Sequence, residues 1–187
     1  MIFKIPIKIK KIRENAIIPK YAHNTDSGAD LYIANIKARK NKLEDFNDVH
    51  SKSYTLKPFE TVLCQTGFIL EPPAGMDIEI RPTSGNSLKT PLRIPNAPAT
   101  IDNGFRGEIG IIIQNVSLEN WTISEGDKIA QMLVHMVTRA KFEEVEDLSY
   151  TERGTKGYGS TGIAGGNNEE KDSYSDNNTS INNAIRL

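Results

Sequence analysis

The chain has 187 residues, enough for one domain with a sizeable hydrophobic core and a tail. Its 23 basic and 24 acidic residues nearly cancel, which argues against a nucleic-acid or membrane partner. Cys64 is the single cysteine and the three histidines are scattered, which excludes an internal disulfide and argues against a zinc site or a Ser-His-Asp triad. No stretch has the apolar length of a signal peptide or a membrane span, so we expect a cytoplasmic protein or one of another reducing compartment.

Apolar and polar residues alternate along most of the chain, as in β-strands with one buried face. Turn signals such as Lys57-Pro58 and "PPAG" separate the alternating stretches. Short strands at this spacing predict a sandwich, a barrel or a jelly roll. In chain order the predicted strands are "KIPIKIKKI", "ADLYIANI", "TVLCQTGFIL", "MDIEIRP", "GEIGIIIQNV", "NWTISEG" and "KIAQMLVHMV".

Three stretches differ from this alternation. Only "NSLKTPL" favours a helical turn, which Pro91 would end. Residues 37–54 are polar and charged, and we expect a surface insertion there with a short helical turn. Residues 163–187 are rich in Asn, Ser and acidic side chains and are predicted to form a disordered tail after a β domain over residues 1–150.

The run "IGIIIQN" is apolar on both strand faces. Ile109, Ile111 and Ile113 share one face, and Ile112 lies on the other. The strand is therefore either a central strand of a two-sheet sandwich or one that is buried against another subunit.

Four Gly- and Ser-rich loops could bind anionic oxygen, because glycine lets backbone N–H groups approach a phosphate closely. "DSGADL", "RPTSGNS" and "EGDKIAQM" are also compatible with ordinary turns. "RGTKGYGSTG", residues 153–162, lacks the order of a P-loop. It is either a flexible linker or a mobile lid that closes over phosphates and stacks Tyr158 on a base.

The segment "NAPATIDNGFRGEIG", residues 96–110, contains more than a turn requires. Asn103 and Gly104 tolerate φ > 0 and predict a tight hairpin. A hairpin turn does not require Asp102, Phe105 or Arg106. An aspartate beside a turn is often structural, but a carboxylate can also orient and deprotonate a water molecule.

Taken together, these five segments resemble the trimeric dUTPase (deoxyuridine 5'-triphosphate nucleotidohydrolase) family, in the family's order and over residues 26–162. The resemblance implies an all-β, jelly-roll-like or distorted β-barrel subunit. It also implies a homotrimer with active sites at subunit interfaces. The implied reaction is hydrolysis of dUTP to dUMP and pyrophosphate, with Mg²⁺ held by triphosphate oxygens.

The same resemblance assigns roles to individual residues. Asp102 matches the base that activates water for attack on the α-phosphate, and Phe105 matches an aromatic residue, usually tyrosine, beneath the deoxyribose. Asp30 would act on the metal indirectly, through water. The positions implied for uracil are Asn96, Thr100, Ile101, Gly110 and Tyr158. Those implied for the phosphates are Thr83, Ser84, Gly85, Gln131, Arg153, Gly159, Ser160 and Thr161.

Three positions depart from the family pattern. Thr83 stands where arginine is usual, so one phosphate-binding cation is missing, for which Lys89 or Lys156 could compensate. Ala99 and Lys156 each stand where glycine is usual. Two alternatives remain: a dCTP deaminase of the same fold, which would lack this lid and this hairpin, and a dUTPase-like protein that binds a regulatory partner through residues 37–54 or the tail.

Overall fold

A computed structural model describes residues 4–39, 41 and 43–157. The described residues form thirteen strands and one short helix. In chain order these are β1 Lys8–Lys11, β2 Ala29–Tyr32, β3 Asn35–Ala38, β4 Asn47–Asp48, β5 Ser53–Leu56, β6 Thr61–Gln65, β7 Phe68–Glu71, β8 Met76–Arg81, α1 Ser84–Lys89, β9 Leu92–Arg93, β10 Ala99–Ile101, β11 Gly110–Asn115, β12 Trp121–Ser124 and β13 Lys128–Met136.

Two antiparallel sheets build the molecule. One has four strands in the order β10-β8-β13-β2, and the other has five in the order β4-β3-β6-β11-β9. Two-stranded ribbons, β1-β7 and β12-β5, complete the described strands. One hydrophobic core draws side chains from both sheets, including Ile78 and Ile80 from β8 and Ile113 from β11. The predicted all-β, jelly-roll-like class is confirmed.

The predicted strands are all present, and two of the stretches each divide into two strands. "ADLYIANI" is interrupted at Ile33-Ala34 and "TVLCQTGFIL" at Thr66-Gly67. Within residues 37–54, β4 pairs with β3 and so extends the five-stranded sheet. The described part of that segment contains one hydrogen-bonded turn, in which the Glu44 N–H donates to Asn41 O over 3.4 Å.

The isoleucine run forms β11, which lies between β6 and β9 in its sheet. Ile109, Ile111 and Ile113 are buried in the core. Ile112 is only half-buried and lies opposite Leu63 of β6 on the outer face of the sheet. A central strand accounts for the buried face, and the outer face leaves Ile112 and Leu63 for a further contact.

The short helix forms where a helical turn was expected, although it begins two residues earlier. Thr83 is its N-cap, with its Oγ1 accepting a hydrogen bond from the Asn86 N–H at 3.2 Å. At the other end the Thr90 N–H donates to Asn86 O, and Pro91 follows. The residue that departs from the family pattern therefore has a local structural role.

The predicted hairpin around Asn103 and Gly104 is wrong. β10 pairs with β8 in the four-stranded sheet, whereas β11 belongs to the five-stranded sheet, so residues 102–109 cross between sheets. The Phe105 N–H donates to Asp102 O over 3.0 Å and closes a β-turn. Neither Asn103 nor Gly104 has a positive φ, so the turn does not require their conformational freedom.

The chain divides into two compact units between Ala140 and Lys141. The first holds every strand and the helix named above. Among the described residues, no helix is long and apolar enough to cross a membrane.

Candidate active site

Gln131 of β13 connects three of the predicted phosphate-binding loops. It lies opposite Asp30 of β2 on one side and Arg81 of β8 on the other. Its Nε2 donates to Pro82 O over 3.0 Å, at the start of "PTSG". A Cβ on Gly28 would lie 2.3 Å from Gln131 Oε1, so a larger residue there would displace the end of this side chain. The structure thus brings the first, second and fourth motifs together.

The second motif continues into α1, which is fixed to β13. The Asn86 Nδ2 donates to the carbonyls of Lys128 and Ile129, at 2.9 and 3.2 Å. Ser84 and Gly85 are exposed at the start of the helix. The first backbone bond of the helix runs from the Ser87 N–H to Thr83 O, so the N–H groups of Ser84 and Gly85 precede it.

The carboxylate of Asp30 is already engaged. Lys128 Nζ lies 3.1 Å from its Oδ2, and the Asp30 side chain is only 14% exposed. No group of three or more His, Cys, Asp or Glu side chains in the described residues could hold a metal ion.

Asp102 lies at the end of β10 and lines a cleft of about 740 Å³. Its side chain is exposed, and none of the hydrogen bonds among the described residues involves its carboxylate. Asp77 and Arg139 contribute one charge of each sign to the same cleft. The other lining residues are Gly75, Met76, Asn103, Gly104 and Val137.

Phe105 presents an aromatic face three residues after Asp102. Its side chain is 44% exposed. A Cβ on Gly107 would lie 2.4 Å from Cζ of Phe105, so the ring rests directly on the backbone of Gly107. The predicted sugar-facing aromatic residue is thus accessible.

The segment that carries Asp102 and Phe105 is fixed at both ends by side-chain contacts that sequence reasoning did not predict. At one end, the Asn103 Nδ2 donates to Pro72 O, Pro73 O and Met76 O, at 3.0, 2.7 and 3.1 Å. This one amide joins the turn that begins at Asp102 to residues 72–76, which are distant along the chain.

At the other end, Glu108 accepts hydrogen bonds from the Gly67 N–H at 2.9 Å and from Gln65 Nε2 at 2.7 Å. Arg13 pairs with the same carboxylate, with Nε 2.8 Å from Oε1, and this hydrogen bond raises the pKa of Arg13. The available signal in the sequence was a charged residue placed directly before the buried Ile109.

The residues predicted to bind uracil do not lie on one hairpin. Thr100 and Ile101 belong to β10, which is an edge strand with β8 on one side. Gly110 begins β11 in the other sheet, opposite Gln65. Asn96 is exposed in the turn between β9 and β10. The open edge of β10 offers backbone groups to a ligand.

One chain does not bring all the predicted site residues together. Asp77, beside Asp102 in the cleft, and Arg81, opposite Gln131, mark two ends of β8. They are four residues apart along the strand, about 13 Å at a rise of about 3.3 Å per residue. The Asp102 cleft and the loops around Gln131 are therefore separate surfaces of one chain.

Arg153 belongs to the second unit, where its described contact is local: its Nε donates to Lys156 O over 3.2 Å. Tyr158, Gly159, Ser160 and Thr161 lie outside the described residues.

Arg81 lies two residues before Thr83 and is paired with a neighbouring carboxylate. Its guanidinium is engaged with Glu79, with Nε 2.7 Å from Oε1 and Nη2 3.0 Å from Oε2. Lys89 is exposed in the last turn of α1.

The sequence is similar to a known family over most of its length. Residues 46–162 match the family model described as dUTPase. The deoxyuridine 5'-triphosphate nucleotidohydrolase of Crocosphaera subtropica is 42% identical over 157 residues, which cover 84% of this chain and 99% of that protein. The protein of the same name from Clostridium novyi is 41% identical over 155 residues, which cover 83% and 97%.

Solved structures agree with the sequence matches. The dUTPase of Staphylococcus bacteriophage 80alpha, solved with dUPNHPP, is 26% identical with a TM-score of 0.70, and the match covers 84% of this chain and 99% of that one. A mutant dUTPase of S. aureus phage phi11, which coordinates a structural Mg(II) ion, shares the fold at 23% identity, with a TM-score of 0.64 and 78% and 99% covered. The chain belongs to the dUTPase family.

Proposed function

We propose that this protein hydrolyses dUTP to dUMP and pyrophosphate. The observation that carries the proposal is the exposed Asp102 carboxylate in a cleft, three residues before an accessible Phe105 ring, in a chain of the dUTPase family. Deoxyuridine triphosphate is in the name of the relatives at about 40% identity, so the substrate class carries over to this chain as part of the proposal.

Asp102 acts as the general base. Its carboxylate orients a water molecule and takes a proton from it as the water oxygen attacks the α-phosphorus. The new P–O bond forms as the bond between the α-phosphorus and the bridging oxygen to the β-phosphate breaks, and pyrophosphate leaves with that electron pair. The absence of hydrogen bonds to this carboxylate in the described residues supports the role, since both oxygens remain open to water.

Phe105 and β10 select the nucleoside. The open edge of β10 offers backbone groups at Thr100 and Ile101 to the uracil, with Gly110 and Asn96 as the further contacts that the family resemblance suggests. The deoxyribose packs on the ring of Phe105, which leaves neither space nor a hydrogen-bond partner for a 2'-hydroxyl. The ring needs no phenol hydroxyl for this steric role.

The loops around Gln131 bind the phosphates. Ser84 and Gly85 are exposed at the start of α1, and Gln131 is held beside them through Pro82. We assign Thr83 a weaker role, because its hydroxyl caps the helix. Arg153, Gly159, Ser160 and Thr161 approach the β- and γ-phosphates in this proposal, and Tyr158 stacks on the uracil.

Mg²⁺ would be held mainly by oxygens of the triphosphate and by water, as the family resemblance implies, and when bound it would neutralise phosphate charge. Asp30 is paired with Lys128 and would act on the ion only through water.

The active enzyme is a homotrimer in this proposal. The separation of the Asp102 cleft from the Gln131 loops supports it, because a second copy can bring one surface to the other. The outer apolar face of Ile112 and Leu63 offers a contact. In the second unit, Phe142, Leu148 and Tyr150 are about nine-tenths exposed and need a partner surface.

Residues 151–162 serve as the lid in this proposal. Deletion of residues 153–187 should abolish turnover and leave the trimer intact, which size-exclusion chromatography with light scattering can measure. Wild-type turnover by the truncated chain would contradict the assignment.

A reducing cytoplasm suits Cys64, which is fully buried, and burial raises its pKa to about 12.

The deciding experiment measures pyrophosphate release with dUTP, dCTP, dTTP and UTP side by side. We expect turnover of dUTP alone, and a loss of about a thousandfold or more in Asp102→Asn. Asp77→Asn, in the same cleft, is the matched control for a change of charge. Ammonia release from dCTP would instead favour a deaminase, and turnover that survives Asp102→Asn would overturn the mechanism.

A further inference from the structure

We infer that Asn103 is a positioning residue: its side-chain amide fixes the turn that carries Asp102. The inference rests on the proposed function, since it concerns the placement of the proposed base. It goes beyond that function because Asn103 touches neither the reacting atoms nor the substrate in the proposed reaction.

The first observation is the crowding of acceptors around one nitrogen. Three carbonyl oxygens, those of Pro72, Pro73 and Met76, lie within 3.1 Å of Asn103 Nδ2. An amide nitrogen has two hydrogens, so the site uses its whole donor capacity. Pro72 and Pro73 have no N–H of their own, which leaves the 72–76 loop with more acceptors than donors. The Asn103 amide, which lies outside this loop, donates hydrogen bonds to these carbonyl oxygens.

The second observation is that both partners of this contact are otherwise fixed. On the loop side, Gly75 O accepts from the Val137 N–H at 2.8 Å, next to the end of β13. On the turn side, the Phe105 N–H donates to Asp102 O, and Arg106 Nη1 donates to the carbonyl oxygens of Asn103 and Phe105 at 2.7 and 2.9 Å. The amide therefore joins a closed turn to a sheet.

The third observation concerns Asp102 itself. Its carboxylate takes part in no hydrogen bond among the described residues, so its position depends on its own backbone. Asn103 is the next residue along the chain. A shift of the turn by about 1 Å would move the carboxylate by a similar amount, which is enough to reduce a rate by about a hundredfold.

Conformational need does not explain Asn103. Its φ is not positive, so residues other than Asn or Gly can form this turn equally well. Asparagine differs from the alternatives in its side-chain donor. The serine side chain is too short to reach the same carbonyl oxygens, and an ionised aspartate has acceptors but no donor.

The test compares Asn103→Ser and Asn103→Asp with a control of the same chemistry. Asn115 is buried, and its Nδ2 lies within 3.4 Å of the carbonyl oxygens of Leu56, Lys57 and Glu119, in a different part of the fold. Asn115→Ser removes three bonds donated by an amide to carbonyl oxygens, and also the two that Asn115 Oδ1 accepts from Ser117, without touching the turn. Steady-state kinetics with dUTP, melting temperatures and oligomeric state are measured for all three variants.

We expect Asn103→Ser to lower kcat about ten- to a hundredfold with KM for dUTP changed less than about threefold. Asn103→Asp should lower kcat further, because a carboxylate would face three carbonyl oxygens. Asn115→Ser should lower the melting temperature and keep kcat. If both Asn103 variants retain kcat within about twofold, or if Asn115→Ser loses as much, the inference is overturned.

A crystal structure of Asn103→Ser separates this inference from the proposed function. If wild-type protein releases no pyrophosphate from dUTP, the proposed function fails on that result alone. Displacement of residues 102–105 relative to β8 and β10 in the variant would still support the positioning role. An unmoved Asp102 in that crystal structure would overturn it, whatever the activity.

Discussion

The ring of Phe105 lies directly on the backbone of Gly107. A Cβ at Gly107 would come within 2.4 Å of Cζ and 2.9 Å of Cε2, closer than real contacts allow. The ring is held from below by backbone and is open above, with 44% of the side chain exposed. The contact with Gly107 therefore determines the position of the ring face on which a sugar would pack.

Gly107→Ala should therefore disturb sugar selection without removing the ring. The added methyl must push Phe105 out of position, and the ratio of kcat/KM for dUTP over UTP should fall about tenfold or more. Phe105→Tyr is the control, since it keeps the ring and its contact with Gly107 and should keep the ratio of kcat/KM for dUTP over UTP. Unchanged discrimination in Gly107→Ala would show that the ring does not test the sugar.

Gly28→Ala should weaken dUTP binding through Gln131. The new Cβ would lie 2.3 Å from Gln131 Oε1 and 2.9 Å from its Cδ, so the side chain must leave Pro82 O. Loss of one well-placed polar contact should raise KM for dUTP about tenfold, measured by steady-state kinetics. In a Gln131→Ala background the same glycine change should have almost no effect. Additive losses in the double variant would contradict the coupling.

The strands were predictable from the sequence because one face of a strand packs in the core while the other is more exposed. Ile78 and Ile80 alternate with Asp77 and Glu79, and the first two are buried. The alternation indicates which face is buried but carries no information on which strand lies alongside. For that reason the sequence predicts a hairpin between residues 99–101 and the isoleucine run, whereas β10 pairs with β8. Strands of two residues, such as β4, are too short to show a period.

The candidate site was predictable to the extent that it resides in contiguous motifs. Asp102 and Phe105 were identified from one segment, and both are accessible in the structure. The contacts of Asn103 and Glu108 are not predictable from the sequence, because their partners are distant along the chain. The Asn103 amide reaches Pro72, 31 residues earlier, and Glu108 pairs with Arg13, 95 residues earlier. No local pattern identifies such contacts.

Glu79 should make the stability of the fold depend on acidic pH. The hydrogen bond from Arg81 holds the pKa of Glu79 below its ordinary value of 4.5, and the charges of Arg81 and His135 act in the same direction. A carboxyl whose folded pKa is depressed stabilises the fold above its unfolded pKa, and that contribution is lost as the pH falls through the folded pKa. Wild-type stability should therefore decline below about pH 4.5.

Glu79→Gln tests this dependence. Its melting temperature should lie below that of the wild type near pH 7, and the difference should shrink as the pH falls below about 4.5. Glu71→Gln is the control, because Glu71 pairs with Lys8 at a more exposed position, with side chains 45% and 79% exposed. Salt screens that pair more effectively, so its difference should be smaller at every pH. A difference that grows toward acidic pH would refute the assignment.

Phe59→Gly should stabilise the protein. Phe59 has a φ of 60° in the turn between β5 and β6, and its side chain is 58% exposed. The left-handed conformation is unfavourable for a bulky residue by about 1 to 2 kcal/mol, and glycine relieves this at a smaller entropic cost. The neighbouring bonds do not involve the ring: the Glu60 N–H donates to Lys57 O at 3.1 Å, and Tyr54 Oη donates to Glu60 Oε1 at 2.5 Å.

We expect the free energy of unfolding to rise by about 1 kcal/mol in Phe59→Gly, measured by chemical denaturation at 25 °C. Phe59→Leu is the matched control, since it keeps the strained φ and removes only the aromatic ring. That variant should unfold at nearly the wild-type denaturant concentration, because the ring is mostly exposed. A lower stability in both variants would mean that burial of the ring exceeds the strain. Stability gained in Phe59→Gly alone would identify the backbone of this turn as the strained element.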